Sequence, residues 1–173
     1  RSEIRQIRIK HGKQVGDVFK YEELNEMHYL HGAISESLRL YPPVPVDTKA
    51  CLEDDVLPNG LRVKKGWFVL YHSYAMRRME SIWEKDCLKF KPERWLAGGL
   101  YKPESPFRFP VFHGGPRVCL GKEMAYIQMK SIVASVVEQF EVNLVSKVCP
   151  SYLLSLTLRM KNGLPVTLKK RDV

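Results

Sequence analysis

At YPPVP, Tyr41 to Pro45, this chain has to stop being helical. Proline has no amide hydrogen to give an upstream carbonyl, and its ring disfavours helix in the residue before it. Upstream, from Tyr21 to Leu40, the periodicity is helical. Met27, Leu30, Ile34, Leu38 and then Tyr41 fall at spacings of three and four, which makes one apolar face. Downstream the chain is extended and punctuated. Pro58-Asn59-Gly60 is a turn between two β-leaning runs, and Lys65-Gly66 leads into WFVLYHSYAM. These predict short strands of a small sheet, followed by one helical turn at MESIW. From about Cys87 to Gly115 the chain is irregular and carries Pro92, Pro103, Pro106 and Pro110. So long an irregular stretch in a compact domain points to function.

Helix resumes from Cys119 to Phe140, with Ala125, Met129, Ile132, Val133, Val136 and Phe140 on one face. The last run, SYLLSLTLRMKNGLPVTLKKR, reads as a β-hairpin turning at Asn162-Gly163. The first ten residues read as helix, and HGKQVGD as a loop broken by Gly12 and Gly16. The expected class is mainly α with small β-sheets, α+β.

The 173 residues make one ordinary domain or a piece of a larger one. With 45% hydrophobic and 27% charged residues, the chain is globular and not disordered. No apolar run approaches the roughly 18–20 residues of a membrane-spanning helix. The chain opens at Arg1 inside a helix-prone run, which reads as a fragment whose N-terminus, and any anchor in it, is missing. Lys plus Arg total 28 against 19 Asp plus Glu, a net charge of +9. That excess suits an acidic partner, or reflects the loss of an acidic half. No basic stripe interleaved with aromatics marks a nucleic-acid surface, so none is expected. Cys51, Cys87, Cys119 and Cys149 include no CxxC pair, and a chain this rich in core residues needs no disulfide framework.

Cys119 is the thiol that stands apart. It lies in FHGGPRVCLG, Phe112 to Gly121, at the expected start of a helix and two residues after Arg117. A helix N-terminus and a guanidinium both favour a thiolate. Gly114, Gly115 and Gly121 let a large flat object approach the backbone, and Phe112 could pack against it. Haem iron held by a thiolate is one such arrangement. A buried cysteine after a Gly-Pro turn is the other reading. In ESLR, Glu36 and Arg39 are helical neighbours at i, i+3, opposite the apolar stripe. That makes them a solvated pair, or two members of a buried network with Arg94 of PERW as the third.

In this order the pieces resemble the C-terminal part of the cytochrome P450 fold. ESLR at Glu36–Arg39 is similar to that family's ExxR helix, and PERW at Pro92–Trp95 to its PERF-like motif. FHGGPRVCLG satisfies FxxGxRxCxG in full, with its cysteine 80 residues beyond Arg39. The resemblance runs from about Leu24 to Arg171 and implies that residues 1–173 are the C-terminal portion of a single P450 domain. It implies haem bound by Cys119 as axial thiolate, the catalytic and metal-ligating residue, whose electron donation favours O–O cleavage. It also places Arg117 and Lys49 at the haem propionates, with Phe112, Gly115 and Gly121 around the cofactor. Glu36, Arg39 and Arg94 become a structural triad. Val44, Pro45 and Val46, and Leu154, Ser155 and Leu156, become substrate-contact segments.

YPPVPVD, VLPNGLRVKKGW and FHGGPRVCLGKEMAYIQMK resemble the plant fatty-acid ω-hydroxylase branch. Arg77-Arg78 departs from it, since that branch usually shows glycine then arginine. The resemblance implies a monooxygenase using O2 on a lipid-like substrate. Electrons would come from NADPH through NADPH-cytochrome P450 reductase, with Lys122 and Lys130 facing that partner. It implies the endoplasmic reticulum membrane, cytosolic face, through the missing anchor. The oxygen-activating acid–threonine helix would also lie upstream, so the fragment alone is expected to be inactive. A truncated non-catalytic haem-binding fragment and a hydroperoxide-rearranging P450 relative are the alternatives, though the latter usually disturbs the cysteine loop.

Overall fold

Gly32 explains how the centre of the molecule is packed. A Cβ there would sit 3.0 Å from the Pro92 carbonyl oxygen and 3.3 Å from the Trp95 Cβ, so only glycine lets these segments approach. The helix bearing it, α3 (His28–Leu40), runs through the core of a computed structural model that describes residues 1–146, 148–153 and 155–172. Ahead of it come α1 (Ser2–Lys10) and the short α2 (Tyr21–Asn25). The single helix expected from Tyr21 to Leu40 is thus broken at Glu26–Met27. Both sides of the break are held from α1: Glu26 takes Lys10 and His11, and Glu3 accepts the amides of Tyr29 (2.6 Å) and Leu30 (3.0 Å). Glu3 therefore caps α3 from another helix, which no local pattern announces.

Beyond YPPVP the strands are short. β1 (Asp47–Ala50) pairs antiparallel with β4 (Phe68–Tyr71). Between them β2 (Asp55–Val56) and β3 (Arg62–Val63) flank the expected turn. α4 (Ser73–Met76) and α5 (Glu80–Trp83) follow, the latter at the predicted helical turn. A 3-10 turn at Pro92–Trp95 and a small ribbon, β5 (Leu96–Ala97) with β6 (Leu100–Tyr101), are the regular parts of the proline-rich stretch up to Tyr101. α6 (Lys122–Gln139) runs directly into β7 (Phe140–Leu144).

The chain ends with β8 (Tyr152–Leu153), β9 (Arg159–Met160) and β10 (Val166–Lys170). The expected hairpin about Asn162-Gly163 does not form. β9 pairs with β8, and β10 pairs with β7 from Val166↔Leu144 to Lys170↔Phe140. The turn is real, with Asn162 at φ 64° and Gly163 at φ 72°, but it joins two separate ribbons. β7 offers a five-residue edge, whereas the two residues of β9 are already taken by β8.

One core cluster joins Ile34 and Leu38 to Trp83, Trp95, Phe109 and Tyr126. A second joins Ile4, Ile7, Phe19, Leu24 and Met27 to Ala134. The apolar stripe of α3 is buried as expected at Met27, Ile34 and Leu38, but Tyr41 lies outside the core.

The face predicted for α6 is displaced. Its buried stripe is Tyr126, Lys130, Ala134 and Glu138, while Ile132 is 64% exposed. The reason is an ion pair. Glu138 receives Nε and Nη2 of Arg8 at 2.9 and 3.0 Å, and the guanidinium stacks 3.6 Å over Phe19, which turns α6 to meet α1.

Candidate functional site

Two charged constellations meet beside α3 and α6, and they are built in opposite ways. The first is closed. Glu36 and Arg39 are completely buried, which decides between the two readings of the pair in favour of a buried network. Arg39 donates Nε and Nη2 to the two Glu36 oxygens at 2.8 and 2.9 Å. Its Nη1 reaches the carbonyls of Arg77 (2.6 Å) and Cys87 (2.7 Å), and Nη2 also reaches that of Lys89 (3.2 Å). Glu36 further accepts the Lys91 amide (3.0 Å) and the Trp95 indole N–H (2.9 Å). Burial alone would raise the Glu36 pKa, but the bonds from Arg39, Trp95 and Lys91 outweigh it and hold it below the ordinary carboxylate value.

Arg94 does join this network, yet its Nε is 3.5 Å from Glu36 while its Nη2 is 2.8 Å from Asp86. The triad read from the sequence is therefore a wider network. Trp95, Asp86 and the carbonyls of residues 77–89 belong to it, and no spacing rule identifies them. Arg77 is buried beside it. Its Nη1 bonds the Leu38 carbonyl (2.9 Å), but Nε and Nη2 find no partner among the described residues. Burial, with Arg39 and Arg78 alongside, pulls its pKa down to about 9.

The second constellation is open. Two 3-10 turns, Pro110–Phe112 and Gly115–Arg117, carry the chain to Cys119. The Cys119 amide donates to the Phe112 carbonyl (2.8 Å), which closes the loop on itself, and the thiol is exposed. α6 begins only at Lys122, with Gly121 as its N-cap. Cys119 thus precedes the helix instead of opening it, and the helix dipole acts on it from a turn away. A Cβ on Gly121 would lie 3.8 Å from the Cys119 sulfur. Gly115 has φ 67°, a conformation that favours glycine. Phe112 is half-buried against Tyr126, ring centroids 5.4 Å apart. Arg117 is exposed and makes no side-chain hydrogen bond or ion pair among the described residues. Leu120 is fully exposed, and Val118 and Met124 extend the apolar rim around the thiol.

Lys49 is exposed and bonded to Asp47 at 2.9 Å. Val44 and Val46 are half-buried and Pro45 is buried. The carbonyls of Val44 and Pro45 accept the Ser73 hydroxyl, which fixes this segment on α4. The two segments expected to contact substrate approach one another: the Leu158 amide donates to the Pro43 carbonyl (2.7 Å), and Tyr152 lies 5.8 Å from Tyr41. Ser155 and Leu156 are exposed, and Leu154 lies outside the described residues. A cavity of about 830 Å³ lies along α1, lined by Ile4, Arg5, Arg8, Val15 and Glu138, and holds none of the expected site residues.

Residues 1–166 match the family model described as Cytochrome P450. The chain belongs to the cytochrome P450 family. Among plant P450s it is 55% identical to Cytochrome P450 CYP94D108 of Paris polyphylla, over 99% of this chain and 35% of that protein. It is 54% identical to Cytochrome P450 86B1 of Arabidopsis thaliana, over 90% of this chain and 28% of that one. The chain thus spans about a third of the length of these P450s. Among solved structures, the retinoic acid-bound cyanobacterial CYP120A1 superposes with a TM-score of 0.81 at 29% identity, over 98% of this chain and 39% of that one. Mixed helices and small sheets are thus the P450 architecture, as the sequence predicts.

One expectation about the P450 surface is corrected. Lys130 does not face a partner. It is buried on the inner stripe of α6, where its ammonium donates to the Leu24 carbonyl at 2.9 Å and burial lowers its pKa. Lys122 is half-buried at the start of the helix. No helix among the described residues is long and apolar enough to cross a membrane.

Proposed function

We propose that this chain is the C-terminal, haem-binding portion of a single P450 domain, with Cys119 as the axial thiolate. The observation that carries the reading is an exposed thiol on a self-closed glycine loop, with exposed Val118 and Leu120 beside it in the chain and the Arg117 guanidinium without a partner among the described residues. The residues fit the group. Among the described residues no three His, Cys, Asp or Glu side chains gather as a metal site, so an iron at Cys119 needs a ligand frame of its own. Haem brings that frame, together with two carboxylates for Arg117 and Lys49. Bound haem would supply the oxygen chemistry.

The chain's own part is to hold and orient. Cys119 presents the sulfur, Arg117 neutralises a propionate, and Phe112, Gly115 and Gly121 shape the face that the macrocycle meets. Glu36, Arg39 and Arg94 hold the proline-rich segment against α3. Val44, Pro45, Val46, Ser155 and Leu156 border the substrate side. The parent protein then inserts one oxygen atom from O2 into a lipid-like substrate, by ω-hydroxylation of a fatty acid or fatty-acid-like conjugate. The half-buried Val44 and Val46 side chains suit an alkyl chain, since each buried methylene contributes about 0.8 kcal/mol. Electrons arrive from NADPH through NADPH-cytochrome P450 reductase, with Lys122 on the docking face. The enzyme resides at the cytosolic face of the endoplasmic reticulum.

The test is spectroscopic. The chain is supplied with haem, reduced under carbon monoxide, and compared with Cys119→Ser. A strongly red-shifted Soret band in the wild type, lost in the variant, is expected. A wild type without that band overturns the assignment of haem to this chain.

A further inference from the structure

His113 follows Phe112 in the cysteine loop, and its backbone is in a region where side chains are costly, φ 60° and ψ −176°. That region is essentially reserved for glycine, and a residue with a Cβ persists there only when its surroundings hold it. Here the hold is visible. Nδ1 of His113 lies 2.9 Å from the Tyr71 hydroxyl and 3.3 Å from the Asp47 carboxylate, and Tyr71 donates to that same carboxylate at 2.7 Å. With its one proton on Asp47, the tyrosine accepts from His113, which fixes the ring's proton on Nδ1. Asp47 and Tyr71 face each other as the first register pair of the β1–β4 ribbon.

We propose that His113, clasped by Tyr71 and Asp47, is a positioning residue that pins the Cys119 loop to the β1–β4 ribbon and so sets how the sulfur meets the haem. The connection is short. The residue next to His113 supplies the carbonyl that holds the Cys119 amide, so a shift of His113 is passed directly to the thiolate's own backbone. Asp47 has a second task. It also holds the Lys49 ammonium at 2.9 Å, so one carboxylate ties the loop's histidine to the cation expected at a propionate. This inference rests on the haem assignment above.

The experiment compares Tyr71→Phe, His113→Gly, His113→Ala and the Tyr71→Phe/His113→Gly double variant. Each is read by haem release to a scavenging apoprotein and by the fraction of the carbon monoxide band shifted from the thiolate to the protonated-thiol position. Tyr71→Phe and His113→Gly each speed release on the order of tenfold, as expected for loss of a hydrogen bond to a partly charged cluster. The double variant is no worse than either single, because both break the same clasp. His113→Ala is worse than His113→Gly, since alanine keeps the backbone strain without the clasp. Thermal unfolding, followed in parallel, separates loop positioning from general destabilisation. Unchanged release and band in Tyr71→Phe, or strictly additive effects in the double variant, overturns the clasp while leaving the haem assignment intact. A wild type that shows no thiolate band overturns both.

Discussion

The Glu36 network and the Cys119 loop are two charged regions of one small molecule, and they treat charge in opposite ways. Around Glu36 every oxygen is met by donors from two stretches of chain, α3 and Lys91–Trp95, and the two central side chains are completely buried. Around Cys119 the thiol is exposed and Arg117 is left without a partner among the described residues. A region whose charges are answered internally serves the fold. A region whose charges are left open is shaped for something that arrives from outside. On the function proposed above, the haem-binding loop is thus marked by what it leaves unsatisfied.

The comparison can be broken most forcefully at Glu36. Glu36→Ala strands the Arg39 guanidinium in the interior and is expected to cost about 3–5 kcal/mol, read by urea denaturation. The same carboxyl gives the region a pH signature. Its folded pKa lies below the ordinary 4.5, so its stabilisation is complete above 4.5 and is lost as pH falls through the lowered value. An acid titration of stability should therefore flatten in Glu36→Gln. Trp95→Phe removes one donor from the buried carboxylate and should cost about 1–3 kcal/mol, with the ring packing retained.

Arg77→Met works in the other direction. It replaces a buried guanidinium, two of whose nitrogens lack a partner among the described residues, with an apolar chain, and is expected to raise stability by about 1 kcal/mol in the same assay. The smallest stability effect belongs to the open region. Arg117→Gln should change unfolding by less than about 0.5 kcal/mol while weakening haem retention. A large loss of stability in that variant would erase the distinction between the two regions.

The open region was far more legible in the sequence than the closed one. FHGGPRVCLG is contiguous, and its glycines, arginine and cysteine carry their meaning at fixed offsets. Glu36 and Arg39 lie opposite an apolar stripe, so periodicity alone reads them as solvated. What buries them is a segment some 40–60 residues away, between Arg77 and Trp95, which docks because Gly32 opens the surface of α3. Helical periodicity sees neighbours on one element and not what will be laid over it. The same blindness displaced the face of α6, where a buried lysine and glutamate occupy the inner stripe while apolar Ile132 faces outward. The terminal turn was located correctly, but strand partners are a property of available edges and could not be read from the turn itself.

The Arg8–Glu138 pair joins residues 130 positions apart, and this sets an order of events during synthesis. At roughly 5–20 residues per second, the ribosome delivers Glu138 on the order of ten seconds after Arg8. The Glu36 network is completed by Trp95, well before that. Of the helices described, α1 is therefore made before the others, yet its tie to α6 is made after theirs. Until α6 emerges, Arg8 keeps its hydration and α1 rests on Phe19, Leu24 and Met27 without its ion pair, so a chain released short of Glu138 would hold its central network and leave α1 half anchored.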